Sequence, residues 1–102
     1  MTPHDHFNGL TPAQAERLAM LAEECGEVIQ IIGKILRHGY DSYHPDDPTT
    51  TNRHLLIKEL CDVNAVWQAM GKAELINANL NNNPRAVWER KLRYSHHQEG
   101  DA

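Results

Sequence analysis

The 102-residue chain contains no apolar run approaching the roughly 20 residues that a membrane-spanning helix needs. Its first ten residues are polar and carry no apolar stretch of the kind that marks a secretory leader. Cysteine is scarce: Cys25 and Cys61 are too few for a disulfide framework and form no CxxC pair for zinc. Both are expected to be reduced, small core residues of a soluble cytoplasmic protein. Positive charge is also short, with 10 Lys and Arg against 14 Asp and Glu, and the net charge of −4 argues against general nucleic-acid binding. The seven histidines assemble no metal signature, because His96 and His97 are adjacent and His4 and His6 fall in the N-terminal arm. Strand-like alternation, internal repeats and low-complexity tracts are absent.

At 40% hydrophobic and 24% charged residues, the composition is that of a globular protein. The length suits one domain with a modest core, small enough that further copies of the chain are expected to complete it as a homodimer or homotetramer. Charge is unevenly spread. Arg85, Arg90, Lys91 and Arg93 crowd the last helical stretch, while paired carboxylates lie upstream. Such a layout suits a small polyanion held by a metal on one side and by basic side chains on the other.

The apolar spacing predicts an all-α domain between an irregular arm (1–10) and a polar tail (97–102). Thr11 followed by Pro12 marks a helix start, with a hydroxyl cap and proline at the first helical position. Apolar positions then recur through Leu18, Leu21, Cys25, Val28, Ile32 and Ile35 until His38-Gly39, so the first helix is expected over 12–38. Tyr40 to Asn52 reads as a loop, since two prolines, three aspartates and a threonine run exclude a regular element. Tyr40 and Tyr43 either stack on a base or pin this loop to the helix. Thr51 or Asn52 caps a second helix carrying Leu55, Leu56, Leu60, Val63, Val66, Trp67 and Met70, which Gly71 ends or kinks. Lys72 to Leu80 is read as a further helical turn or two. Asn83-Pro84 starts a last helix through Val87, Trp88 and Leu92 that ends near Ser95 or His96.

Within the first helix, Glu23, Glu24 and Glu27 interrupt an otherwise apolar stretch, LAEECGEVIQIIGKIL. Residues three and four apart share a helix face, and like charges at that spacing repel by a few tenths of a kcal/mol even in water. Among aliphatic neighbours the cost is larger unless a cation joins them. A second pair, Glu59 and Asp62, repeats the three-residue step among leucines and valines on the next helix. Two such helices face to face would offer Glu24, Glu27, Glu59 and Asp62 to a divalent metal. Mg²⁺ suits these donors, being a hard cation that takes oxygen ligands and keeps positions for water and phosphate oxygens.

The pattern E-E-x-x-E at Glu23 to Glu27, followed by E-x-x-D at Glu59 to Asp62, resembles the all-α nucleoside triphosphate pyrophosphohydrolases of the MazG-like kind, relatives of the dimeric dUTPases. The resemblance spans roughly Leu10 to Met70, through LTPAQAERLAMLAEECGEVIQ and KELCDV, and weakens after Gly71. The gap between Glu27 and Glu59 is longer than usual for that family, and the extra length is the Tyr40–Asn52 loop. What the resemblance implies is a dimeric or tetrameric helical bundle that hydrolyses a nucleoside triphosphate to monophosphate and pyrophosphate with Mg²⁺, or Mn²⁺ in its place. It implies Glu24, Glu27, Glu59 and Asp62 as metal ligands, and Glu23 as the group that orients or deprotonates the attacking water.

Lys34 lies two turns beyond Glu27 on roughly the same side and is a candidate to reach phosphate. Arg90, Lys91 and Arg93 are candidates for the triphosphate tail, from the same or a neighbouring subunit; the plainer alternative is a solvated helix face. Asn64 and Trp67 are candidates to read and stack on a base, against a solvent-facing amide and a core indole. A di-iron carboxylate bundle would need Glu-x-x-His steps, which the Glu at 27 and the Asp at 62 rule out. The alternative from another class is a non-catalytic helical module that keeps the carboxylates without turnover.

Overall fold

The computed structural model describes residues 8–75 and 83–98. Three α-helices, α1 (Pro12–His38), α2 (Asn52–Met70) and α3 (Pro84–Leu92), account for most of them, and a π-helical turn, Gly71–Leu75, extends α2. The described residues contain no strand; a single antiparallel bridge joins Tyr43 to Thr51. The fold is all-α. No described helix is long and apolar enough to cross a membrane.

Local chemistry sets the helix ends. Thr11 accepts from the Gln14 amide while the Gln14 side chain accepts from the Thr11 N–H at 2.9 Å, so two otherwise orphaned donors are satisfied reciprocally. Thr51, rather than Asn52, does the same for α2 with His54 in the role of Gln14. At the far end of α1, Gly39 adopts φ +89, a conformation that side-chain-bearing residues rarely take, and its N–H closes the helix on Ile35 O at 2.7 Å. Gly71, by contrast, stays in the right-handed helical region, so α2 widens into the π turn instead of stopping. In α3 the Asn83 side chain accepts from the Arg85 N–H at 2.9 Å, as its Asn-Pro start predicts. This helix ends at Leu92, and Tyr94 and Ser95, expected inside it or at its end, follow only in tighter bonds to the carbonyls three residues back. Most of the turn or two expected over 72–80, the first seven residues of the arm and the last four of the tail lie outside the described residues.

α1 and α2 form an antiparallel hairpin tied at both ends. At the loop end, Asn52 is the buried polar residue: its Nδ2 donates to Gly39 O at 3.1 Å and its backbone N–H to Ser42 O at 2.8 Å. Arg53 donates its N–H to Tyr40 O and lays its guanidinium 4.5 Å from the Tyr40 ring centre. Tyr40 therefore pins the loop to α2, the second of the two roles open to it. At the opposite end Arg17 of α1 donates from Nε at 2.7 Å and from Nη2 to Glu74 Oε1 in the π turn, a half-buried pair absent from the sequence reading.

The hairpin buries little. Ile31 and Met70 are the buried hydrophobic residues among those described, both 4% exposed. Leu18, Ile29, Ile32 and Leu36 on α1 and Ile57, Leu60 and Trp67 on α2 remain exposed. Cys25 and Cys61, expected in the core, are exposed free thiols. α3 packs against neither α1 nor α2. The radius of gyration, 18.1 Å, is well above the ~13 Å of a compact chain of this length.

Candidate metal centre

Halfway along the hairpin, α1 and α2 bring their two carboxylate pairs together. One carboxylate oxygen each from Glu24, Glu27, Glu59 and Asp62 lies within 4.8 Å of all the others, and all four residues are half-buried. The grouping follows from spacing. Each pair repeats at three residues, so both of its members project from one helix face, and the antiparallel packing sets the two faces against each other.

Four carboxylates this close repel unless protons or cations intervene. Two effects of that crowding are visible. Glu27 is pushed up to about 7 from an ordinary 4.5, first by a side-chain hydrogen bond with Glu59, then by the negative charges of Glu24 and Glu59, with burial adding to both. Oε2 of Glu24 and Oε2 of Glu59 are buried with no hydrogen-bond partner. Buried carboxylate oxygens without donors are costly, and a bound cation removes that cost. The donor set is entirely oxygen, which fits Mg²⁺ or Mn²⁺ and not a thiophilic metal. Cys25 and Cys61, each one residue from a member of the group, stand outside it and exposed.

Lys58 supplies positive charge at the rim. Its Nζ donates to Asp62 Oδ2 at 3.0 Å and to Glu59 Oε1 at 3.4 Å, and the hydrogen bond and charge of Asp62 hold the ammonium above its usual range. Lys58 is not among the candidates drawn from the sequence, although its i,i+4 spacing from Asp62 is a signal for this pair.

The remaining predicted residues are scattered. Glu23, 100° around α1 from Glu24, is exposed and outside the group. Lys34 is on the carboxylate face two turns further along α1, where it lines a separate cavity. Asn64, 200° around α2 from Asp62, is exposed, as the solvent-facing alternative has it. Trp67 is 54% exposed and belongs to neither the core nor the carboxylate group. Arg90, Lys91 and Arg93 are exposed on or just beyond α3, away from the hairpin, so within one chain no contact brings them to the carboxylates.

Compared with protein-family models, with curated proteins and with solved structures, the chain matches none.

Proposed function

We propose that this protein is a nucleoside triphosphate pyrophosphohydrolase that uses Mg²⁺, or Mn²⁺ in its place, to convert a ribo- or deoxynucleoside triphosphate into monophosphate and pyrophosphate. The observation that carries the reading is the four-carboxylate group with two buried, unpartnered oxygens. The E-E-x-x-E and E-x-x-D resemblance supplies the reaction class.

Glu24, Glu27, Glu59 and Asp62 would hold the metal, and Glu27 must give up its proton to do so. When bound, the metal supplies activation of water and neutralisation of phosphate charge. The resemblance gives Glu23, exposed and outside the carboxylate group, the part of taking the proton as the water oxygen forms its bond to the α-phosphorus. The bond from that phosphorus to the bridging oxygen breaks, and pyrophosphate leaves with the electron pair. Lys34, on the same face of α1, offers positive charge to the phosphates.

The same reading includes a homodimer or homotetramer. A hairpin whose buried hydrophobic residues, among those described, are Ile31 and Met70, with Leu18, Ile29, Ile32 and Leu36 exposed along α1, has apolar surface left to cover. Association would also give Arg90, Lys91 and Arg93 a route to a neighbouring chain's carboxylates.

The deciding experiment is pyrophosphate release from a panel of canonical and damaged nucleoside triphosphates, with Mg²⁺ and with EDTA. Mg²⁺-dependent release paired with monophosphate is expected. No turnover across the panel would leave the carboxylate hairpin as a non-catalytic binding module.

A further inference from the structure

A cavity of about 420 Å³ opens where α1 meets the 40–51 loop and the first turn of α2. That size falls within the roughly 300–1,000 Å³ of small-molecule sites and is generous for a bare phosphate. Its walls mix apolar surface from Tyr43, Pro45 and Leu55 with the cations of Lys34 and Arg37 and the amide of Asn52. Neither Lys34 nor Arg37 forms an ion pair among the described residues, although basic side chains elsewhere on the hairpin (Arg17, Arg53 and Lys58) all do. Tyr43 keeps its ring half-exposed, whereas the Tyr40 ring is taken by Arg53.

The cavity lies two helical turns from the carboxylates along the same hairpin. Lys34 follows Glu27 by seven residues, and Asn52 precedes Glu59 by seven, two helical turns in each case and hence about 10 Å along antiparallel helices. An extended nucleotide with its phosphates at the carboxylates reaches this far with its sugar and base. The loop-end amides of α2 add no phosphate site of their own, because those of Asn52, Arg53 and His54 are spent on Ser42 O, Tyr40 O and Thr51 Oγ1.

We propose that this cavity is the nucleoside subsite: Tyr43, Pro45 and Leu55 take the ring, and Lys34 and Arg37 guard the passage of the 5′-phosphate toward the carboxylates. The inference rests on the nucleotide reading of the metal centre and adds where specificity lies. The 40–51 loop, the part of the chain that departs from the resembled family, would choose the base. Asp47 contributes a fixed negative charge at the wall, since hydrogen bonds from Thr50 and Thr49 hold its carboxyl below the usual range.

The test needs neither metal nor turnover. The ¹⁵N-labelled full chain in EDTA is titrated with dAMP, dCMP, dGMP, dTMP and dUMP, and with inorganic phosphate. Saturable amide shifts centred on residues 34–38 and 42–55 are expected for at least one mononucleotide and weakly or not at all for phosphate. Tyr43→Ala and Arg37→Gln, both at exposed side chains, should each weaken binding about tenfold, or ~1.4 kcal/mol, with the circular dichroism spectrum unchanged. Shifts centred elsewhere, equal binding of phosphate, or undiminished affinity in both variants would overturn the assignment. Nucleotide binding here without pyrophosphate release would instead count against the hydrolase reading alone.

Discussion

Glu27 of α1 and Glu59 of α2, 32 positions apart in the chain, bring a carboxylate oxygen each to within 4.8 Å across the hairpin, and Glu59 is the first cause that raises Glu27 to about 7. A carboxyl crowded by other carboxylates favours its neutral form, so without a metal Glu27 takes up a proton more readily than an isolated glutamate does.

A pH dependence follows from that proton. The folded chain binds it more tightly than the unfolded chain, whose Glu27 titrates near 4.5, so this contribution to stability is complete below that value. It is lost as pH rises, and it is gone above about 7. In EDTA the Tm should therefore fall across this window and then level off. Saturating Mg²⁺ should flatten or reverse the slope, because metal binding releases the proton. A Tm in EDTA that climbs throughout the window would show that the neighbouring carboxylates do not raise Glu27.

Glu24→Gln and Asp62→Asn each remove one charge from a repelling group. Metal-free stability should stay within about 0.5 kcal/mol of the parent or rise by that much, as measured by urea unfolding. The Mg²⁺-induced rise in Tm should vanish, and pyrophosphate release should fall at least ~100-fold, beyond the cost of losing a supporting group around a metal. Retained release in both variants would sink the ligand assignment.

Lys58→Met separates the rim cation from the ligands. The Lys58 side chain is largely exposed, so solvent screens its ion pairs with Asp62 and Glu59 and they add little to stability. Removing the ammonium leaves the group more negative. Mn²⁺ should then bind several-fold more tightly by calorimetry, with the largest gain at low salt. Weaker Mn²⁺ binding would mean that Lys58 orients Asp62 rather than competing with the cation.

Arg17→Ala tests the far tie of the hairpin. Glu74, whose side chain is only 13% exposed, would lose two charge-assisted donors, at a cost of about 1.5–3 kcal/mol. Urea midpoints should drop accordingly, and Glu74→Ala in the same background should add little further loss. Additive losses would indicate that the pair is not coupled.

Association is tested by sedimentation equilibrium of the parent chain and of Ile32→Glu, a substitution at an exposed α1 position. A dimer or tetramer is expected for the parent, and a monomer for the variant at the same concentration. A monomeric parent would remove the oligomer from the proposal.

The elements were legible in the sequence because their signals are local. Thr11-Pro12, His38-Gly39 and Asn83-Pro84 are start and stop chemistry read over a few residues, and α1 runs over the interval they delimit. The carboxylate group was legible for a related reason: two three-residue steps on neighbouring helices leave few other ways to pair. Burial was not legible. Apolar spacing says which face seeks cover, but Cys25, Leu60 and Trp67 are exposed because α1 and α2 cover only a narrow seam of each other and α3 covers neither. Nor could periodicity reveal the Arg17–Glu74 tie, which joins residues 57 positions apart, or the cavity around Lys34, Tyr43 and Asn52. Those depend on where the 40–51 loop closes and on the antiparallel register. Helix ends and faces are thus properties of the sequence, set by hydrogen bonds within one turn, whereas the company each face keeps is decided by long-range packing.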